Sequence, residues 1–86
     1  MRGIEKIRDT VPSFFDVEHI EVTECAYDMG IYSDRVVFYK EYSEDVFTKL
    51  GEYCSQMKQE VSFEVCPYID IDGVLLLRIA ITPEIL

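Results

Sequence analysis

Residues 43–61, SEDVFTKLGEYCSQMKQEV, decide the fold class, because they predict one amphipathic helix in a chain otherwise rich in strand formers. Ser43 is a good N-cap, and Glu44 and Asp45 put negative charge at the positive end of the helix dipole. Val46, Phe47, Leu50, Tyr53, Cys54, Met57 and Val61 mark an apolar stripe, with Thr48, Glu52, Ser55 and Gln59 on the opposite face. The helix is expected to run from Glu44 to Glu60. Gly51 inside it costs about 1 kcal/mol relative to alanine, which points to a close packing contact there.

Working back from this helix, Arg35–Tyr42 is rich in Val, Phe and Tyr and reads as a strand. Asp28–Asp34, centred on Gly30, reads as a loop. Glu18–Tyr27 reads as an earlier strand, with Ile20, Val22 and Ala26 on one face and His19, Glu21, Thr23, Cys25 and Tyr27 on the other. Glu24 interrupts its apolar face, which implies a bulge or an edge position. Ile4, Ile7 and Val11 predict a first helix over Gly3–Thr10, ended by Pro12, with Phe14 and Phe15 plugging the core at the turn.

Working forward, Phe63, Val65, Ile69 and Ile71 lead into Asp72-Gly73, a type I′ hairpin signal, and Val74–Ile81 returns. Pro67 in the first arm implies an edge strand or a bulge. The order α-β-β-α-β-β predicts an α+β two-layer sandwich, with a four-stranded antiparallel sheet and two helices. It matches a circularly permuted ferredoxin-like sandwich, in which the final strand takes the place of the usual first. A plainer alternative is two hairpins in one sheet with both helices on one face. Residues 1–86 are expected to form a single domain. Hydrophobic residues make up 49% of the chain, which separates it from disordered sequences.

Seventeen acids face eight bases, for a net charge of −9. Direct binding of nucleic acid, which needs a basic surface, is not expected, nor is binding to an anionic membrane. The N-terminal stretch is charged and has no apolar h-region, so no signal peptide is expected, and the location is read as cytoplasmic, or host cytoplasm for a viral chain. The three cysteines are odd in number and form no C-x-x-C, so neither a disulfide framework nor a zinc motif is indicated.

Catalytic and metal motifs fail on inspection. His19, the only histidine, would sit about 20 Å from Cys25 on a regular strand, too far for proton transfer. Asp70-Ile71-Asp72-Gly73 begins like a calcium loop, but Ile81 stands where the loop needs its final glutamate. No phosphate-binding glycine loop and no G-x-S-x-G is present. The chain is expected not to be an enzyme and to hold no cofactor.

Two stretches carry acids and no base: Phe15–Gly30, with Asp16, Glu18, Glu21, Glu24 and Asp28, and Gln59–Leu77, with Glu60, Glu64, Asp70 and Asp72. Acids spaced along strands and turns can imitate a row of phosphates, and neighbouring Tyr27, Tyr32 and Tyr68 suit an interface. The expected partner is therefore the basic surface of another protein, one that handles nucleic acid. In size and acidity the chain is similar to small phage or mobile-element inhibitors, the anti-defence and anti-CRISPR type. The expected partner-binding residues are Glu18, Glu21, Glu24, Tyr27, Asp28, Tyr32, Tyr68, Asp70 and Asp72. The alternatives are an assembly module or homodimeric adaptor that pairs strand edges, and a small enzyme or metal sensor using His19. From the charge alone, a labelled DNA duplex is expected to show no retardation by this protein at ~150 mM salt, where even basic proteins bind weakly; a shifted band would overturn the reading of the surface.

Overall fold

The structure is a computed structural model that describes residues 3–26, 32–58 and 61–83. The elements follow the order α1 (Gly3–Phe15), β1 (Glu21–Ala26), β2 (Tyr32–Glu41), α2 (Glu44–Gln56), β3 (Val61–Ile69) and β4 (Leu75–Pro83). The strands form one antiparallel sheet in the order β1-β2-β4-β3. That is the α+β sandwich expected. β2 and β3, both antiparallel to β4, are parallel to each other, and α2 makes the crossover between them. This split β-α-β unit is the feature shared with ferredoxin-like sandwiches.

Both helices pack on one face of the sheet. α1 contributes Ile7, Val11 and Phe15 at i, i+4 and i+8, all fully buried. They meet Val36 and Phe38 of β2 and Leu77, Ile79 and Ile81 of β4. Phe15 is the hub. Its ring centroid lies 5.0 Å from Phe38, 5.1 Å from Phe14 and 5.4 Å from Tyr53 of α2. Val37 and Ala80 are buried too, although both helices lie on the opposite face.

α1 does not stop at Pro12; it runs on to Phe15 with the proline inside it. An interior proline costs about 3 kcal/mol. Burying a phenylalanine returns roughly 1.5–3 kcal/mol, so the burial of Phe15 with the partial burial of Phe14 is of the size needed to offset it. The helix ends instead at Asp16, in the left-handed region at φ 55. Val17 N–H then donates to the Pro12 carbonyl at 3.0 Å, closing a Schellman motif. α1 has no basic residue in its last turn, and Lys40 Nζ of β2 donates to the Asp16 carbonyl just beyond it at 3.1 Å.

α2 begins as expected, with the Ser43 side chain accepting from Asp45 N–H. It ends earlier, because Lys58 takes a left-handed conformation at φ 56 and donates to the Ser55 carbonyl. Val61 belongs to β3, not to the helix. The buried line is narrower than the predicted stripe: Val46, Leu50, Tyr53 and Met57 are buried, Cys54 is half-buried, and Phe47 is exposed against Tyr42. Gly51 is exposed, and a Cβ there would meet nothing within 4 Å, so no close contact requires it.

The strands depart from expectation at the starts of β1 and β2 and at the β3–β4 turn. β1 begins at Glu21, leaving Glu18–Ile20 outside it, and it is an edge strand in unbroken register with β2. β2 begins at Tyr32, inside the stretch read as loop. β3 is the other edge, which accommodates Pro67. Its connection to β4 is not a type I′ turn. Gly73 N–H donates to the Asp70 carbonyl, and Gly73 alone in this turn has positive φ, at 82. Type I′ needs positive φ at both central residues; the observed turn is type I followed by a glycine bulge.

Two outcomes are expected in denaturant melts. Leu50→Ala should destabilise by about 2–5 kcal/mol, and Gly51→Ala should stabilise by about 0.5–1 kcal/mol. Reversed signs would mean that the buried line of α2 is misplaced. A third outcome concerns Tyr53, which is fully buried with Oη 2.7 Å from Thr10 Oγ1. Burial raises its pKa above 10.0, and the Thr10 hydrogen bond partly offsets this. Between the unfolded and folded values the native state holds the extra proton. Tyr53 therefore lends stability that is complete below pH ~10 and is lost as pH rises through its folded value. The fall of unfolding free energy above that pH should be shallower in Tyr53→Phe; equal slopes would refute the assignment.

Candidate protein-binding surface

The sheet order separates the two acidic stretches. Glu21 lies on edge strand β1, in one cross-strand row with Val37, Ala80 and Glu64. Asp70 follows β3 at the other edge, six residues beyond Glu64. Three strand spacings and six residues of rise put Glu21 and Asp70 roughly 25 Å apart. Glu18 lines an open depression of about 400 Å³ with Asp16, His19, Tyr39, Lys40 and Glu41. Glu24 registers with Asp34, and Tyr32 with Ala26. Tyr27 and Asp28 lie outside the described residues.

His19 Nε2 stands 3.8 Å from Glu21 Oε1, both exposed at the β1 edge. Cys66 is on β3 at the opposite edge, with Sγ 3.9 Å from Glu64 Oε1. No group of three or more metal-ligating side chains gathers among the described residues. No helix among them is long and apolar enough to cross a membrane.

Tyr68 lies on the sheet face away from the helices, its ring 5.2 Å from Tyr39. The two rings reach toward each other across β4. Arg35 Nη1 of β2 likewise reaches Glu64 Oε2 of β3, at 3.6 Å.

Asp70 and Asp72 differ in role. Asp70 Oδ1 accepts from Asp72 N–H and Val74 N–H, each at 2.9 Å. The Asp70 N–H donates to the Val74 carbonyl at 3.0 Å, and the Asp70 carbonyl accepts from Gly73. Asp70 thus clamps the hairpin tip, while Asp72 is exposed on it.

Around this tip the surface is apolar. Ile71 is 99% exposed and Ile69 is 68% exposed, with Val74 and Leu75 beside them. Ile69 registers with Leu75, and Tyr42 N–H donates to the Leu75 carbonyl at 3.2 Å. Phe47 of α2 packs edge-on to Tyr42, with ring centroids 6.3 Å apart. Exposed apolar side chains thus run along this end of the sheet from Phe47 and Tyr42 through Leu75 to Ile69, with Ile71 beyond them at the tip. The segments that build this end, 41–48 and 68–77, hold Glu41, Glu44, Asp45, Asp70 and Asp72, and Lys40, Lys49 and Arg78 stand immediately beyond their ends.

The sequence reading missed these apolar residues by assigning them elsewhere. Periodicity places Ile71 at the end of a strand and Phe47 in the core stripe, whereas both are exposed. The available signal was an isoleucine between two aspartates just ahead of the turn glycine, a place where polar residues dominate. Comparison with protein-family models, curated proteins and solved structures finds no match to this chain.

Proposed function

We propose that this domain binds another protein, docking its acidic hairpin end on a basic surface of the partner. One observation carries the reading: exposed apolar side chains gather at one end of the sheet, in segments that supply five acids, with Lys40, Lys49 and Arg78 just beyond them. Large exposed apolar patches rimmed by polar residues mark interaction sites. Acids around such a patch select a partner rimmed by lysine and arginine and speed association with it. The surfaces that handle nucleic acid are basic in this way. An inhibitor that occludes one, in the cytoplasm where such targets work, is the use we assign to this domain. Glu21, on the far edge, adds to the long-range field and lies outside the contact, while Glu18 borders the docking end through the depression it shares with Glu41. Pairing of two copies through this end is disfavoured, since it would set each acidic rim against the other.

The test compares association rates with a partner captured from host lysate, at low and high salt. Asp72→Lys and Glu44→Lys should slow association several-fold at low salt and less at high salt, as screening grows. Glu21→Lys should have a smaller effect. All three sites are exposed. Stability should move by no more than about 0.5 kcal/mol for Asp72→Lys and Glu21→Lys, and by about 1 kcal/mol for Glu44→Lys, which sets a positive charge on the N-terminus of α2. Rates indifferent both to salt and to all three reversals would overturn electrostatic docking.

A further inference from the structure

The geometry points to Ile71 as an anchor side chain that enters an apolar pocket, rimmed by lysine or arginine, on the partner protein; this inference rests on the docking reading above. Ile71 stands at the tip of the β3–β4 hairpin with 99% of its surface open to water. Hairpin tips are normally polar, and an isoleucine there contributes nothing to the core.

The tip is also held in shape. Four hydrogen bonds tie the five residues 70–74: two to Asp70 Oδ1, one from Gly73 N–H to the Asp70 carbonyl, and one from Asp70 N–H to the Val74 carbonyl. Gly73 supplies the left-handed conformation that lets the chain return, at φ 82. A side chain carried on an ordered loop loses less entropy on binding than one on a floppy loop. Ile69, Val74 and Leu75 neighbour Ile71 in the hairpin, Tyr42 and Phe47 continue the apolar surface from Leu75, and the acids Asp72, Glu41, Glu44 and Asp45 belong to the same segments. A protruding apolar side chain backed by further apolar residues and flanked by charges has the composition of an interface anchor.

The same charges choose among occupants. An anionic lipid surface would repel this rim, and so would a second copy of the same end. A protein pocket with a cationic rim satisfies both the isoleucine and the acids. Asp70 is then a positioning residue: it acts through the loop backbone and not as a contact charge.

The experiment titrates the isotope-labelled full chain with two probes, followed by NMR. One is a short amphipathic helical peptide of leucine and lysine; the other is an oligolysine of equal charge. The leucine–lysine peptide should shift resonances in 42–47 and 69–75. Ile71→Ser should weaken that peptide about tenfold or more, the scale of a hot-spot truncation, and leave oligolysine binding unchanged. Asp70→Ala should weaken the same peptide, and Asp70→Asn should restore it, because the amide oxygen still accepts from Asp72 and Val74. An exposed residue such as Ile71 can be changed without unfolding the chain, which a thermal melt verifies.

If Ile71→Ser binds the amphipathic peptide as tightly as the parent while oligolysine still binds, the anchor is wrong and acidic docking stands. Shifts confined to the β1 edge around Glu18 and Glu21 would overturn the anchor in the same way. Binding of neither peptide would overturn the docking reading, and the anchor with it.

Discussion

The packing of Phe15 against Tyr53 and Phe38 is the contact on which the other elements depend. It joins α1, α2 and β2 at one point. In a chain of 86 residues the core is thin, and a few large side chains must do what many do in larger domains. The cost of Pro12 inside α1 follows from this constraint: the helix must continue one more turn to deliver Phe15. The left-handed Asp16 and the Lys40 hydrogen bond then secure the end. The Thr10–Tyr53 hydrogen bond fixes α1 against α2 and gives the buried phenol a partner. Tyr53 therefore adds both apolar area and direction to the helix pair.

The sheet is organised around β4, the last strand in sequence and a central one in space. Its helix-facing Leu77, Ile79 and Ile81 supply the floor of the core, and Ala80 is buried on the other face. On that other face two bridges pass over β4, Tyr39 to Tyr68 and Arg35 to Glu64. Both link β2 to β3, strands that share no backbone ladder. The parallel relation of β2 and β3, imposed by the α2 crossover, is thus reinforced by side chains.

Much of this was legible in the sequence, and the errors have physical causes. The α-β-β-α-β-β order and the start of α2 could be read because periodicity, capping and strand propensity agree there. The ends of both helices could not, since they terminate on left-handed Asp16 and Lys58, where no glycine marks the stop. Phe47 and Leu50 look alike by composition; only the narrow contact line of α2 separates exposed from buried. The acids of the expected binding surface were visible as residues, but their spacing in space was not. Strand order alone determines that Glu21 and Asp70 lie on opposite edges, and pairing of distant strands leaves no local trace.

The apolar end of the sheet gains its meaning from that thin core. Each large apolar side chain fully buried would contribute roughly 1.5–3 kcal/mol, against a total stability of about 5–15 kcal/mol for a domain. Ile69, Ile71, Phe47 and Leu75 lie exposed or half-exposed instead. A small domain that leaves this much apolar area in water, while spending four hydrogen bonds to order the loop beneath Ile71, forgoes stability at the place where it is most rigidly presented. The acids set among these residues repel those of a second copy. The same charges leave the apolar side chains available to a surface of opposite sign. Under the docking we propose, exposure, order and charge at this end of the molecule share one explanation, recognition of a partner.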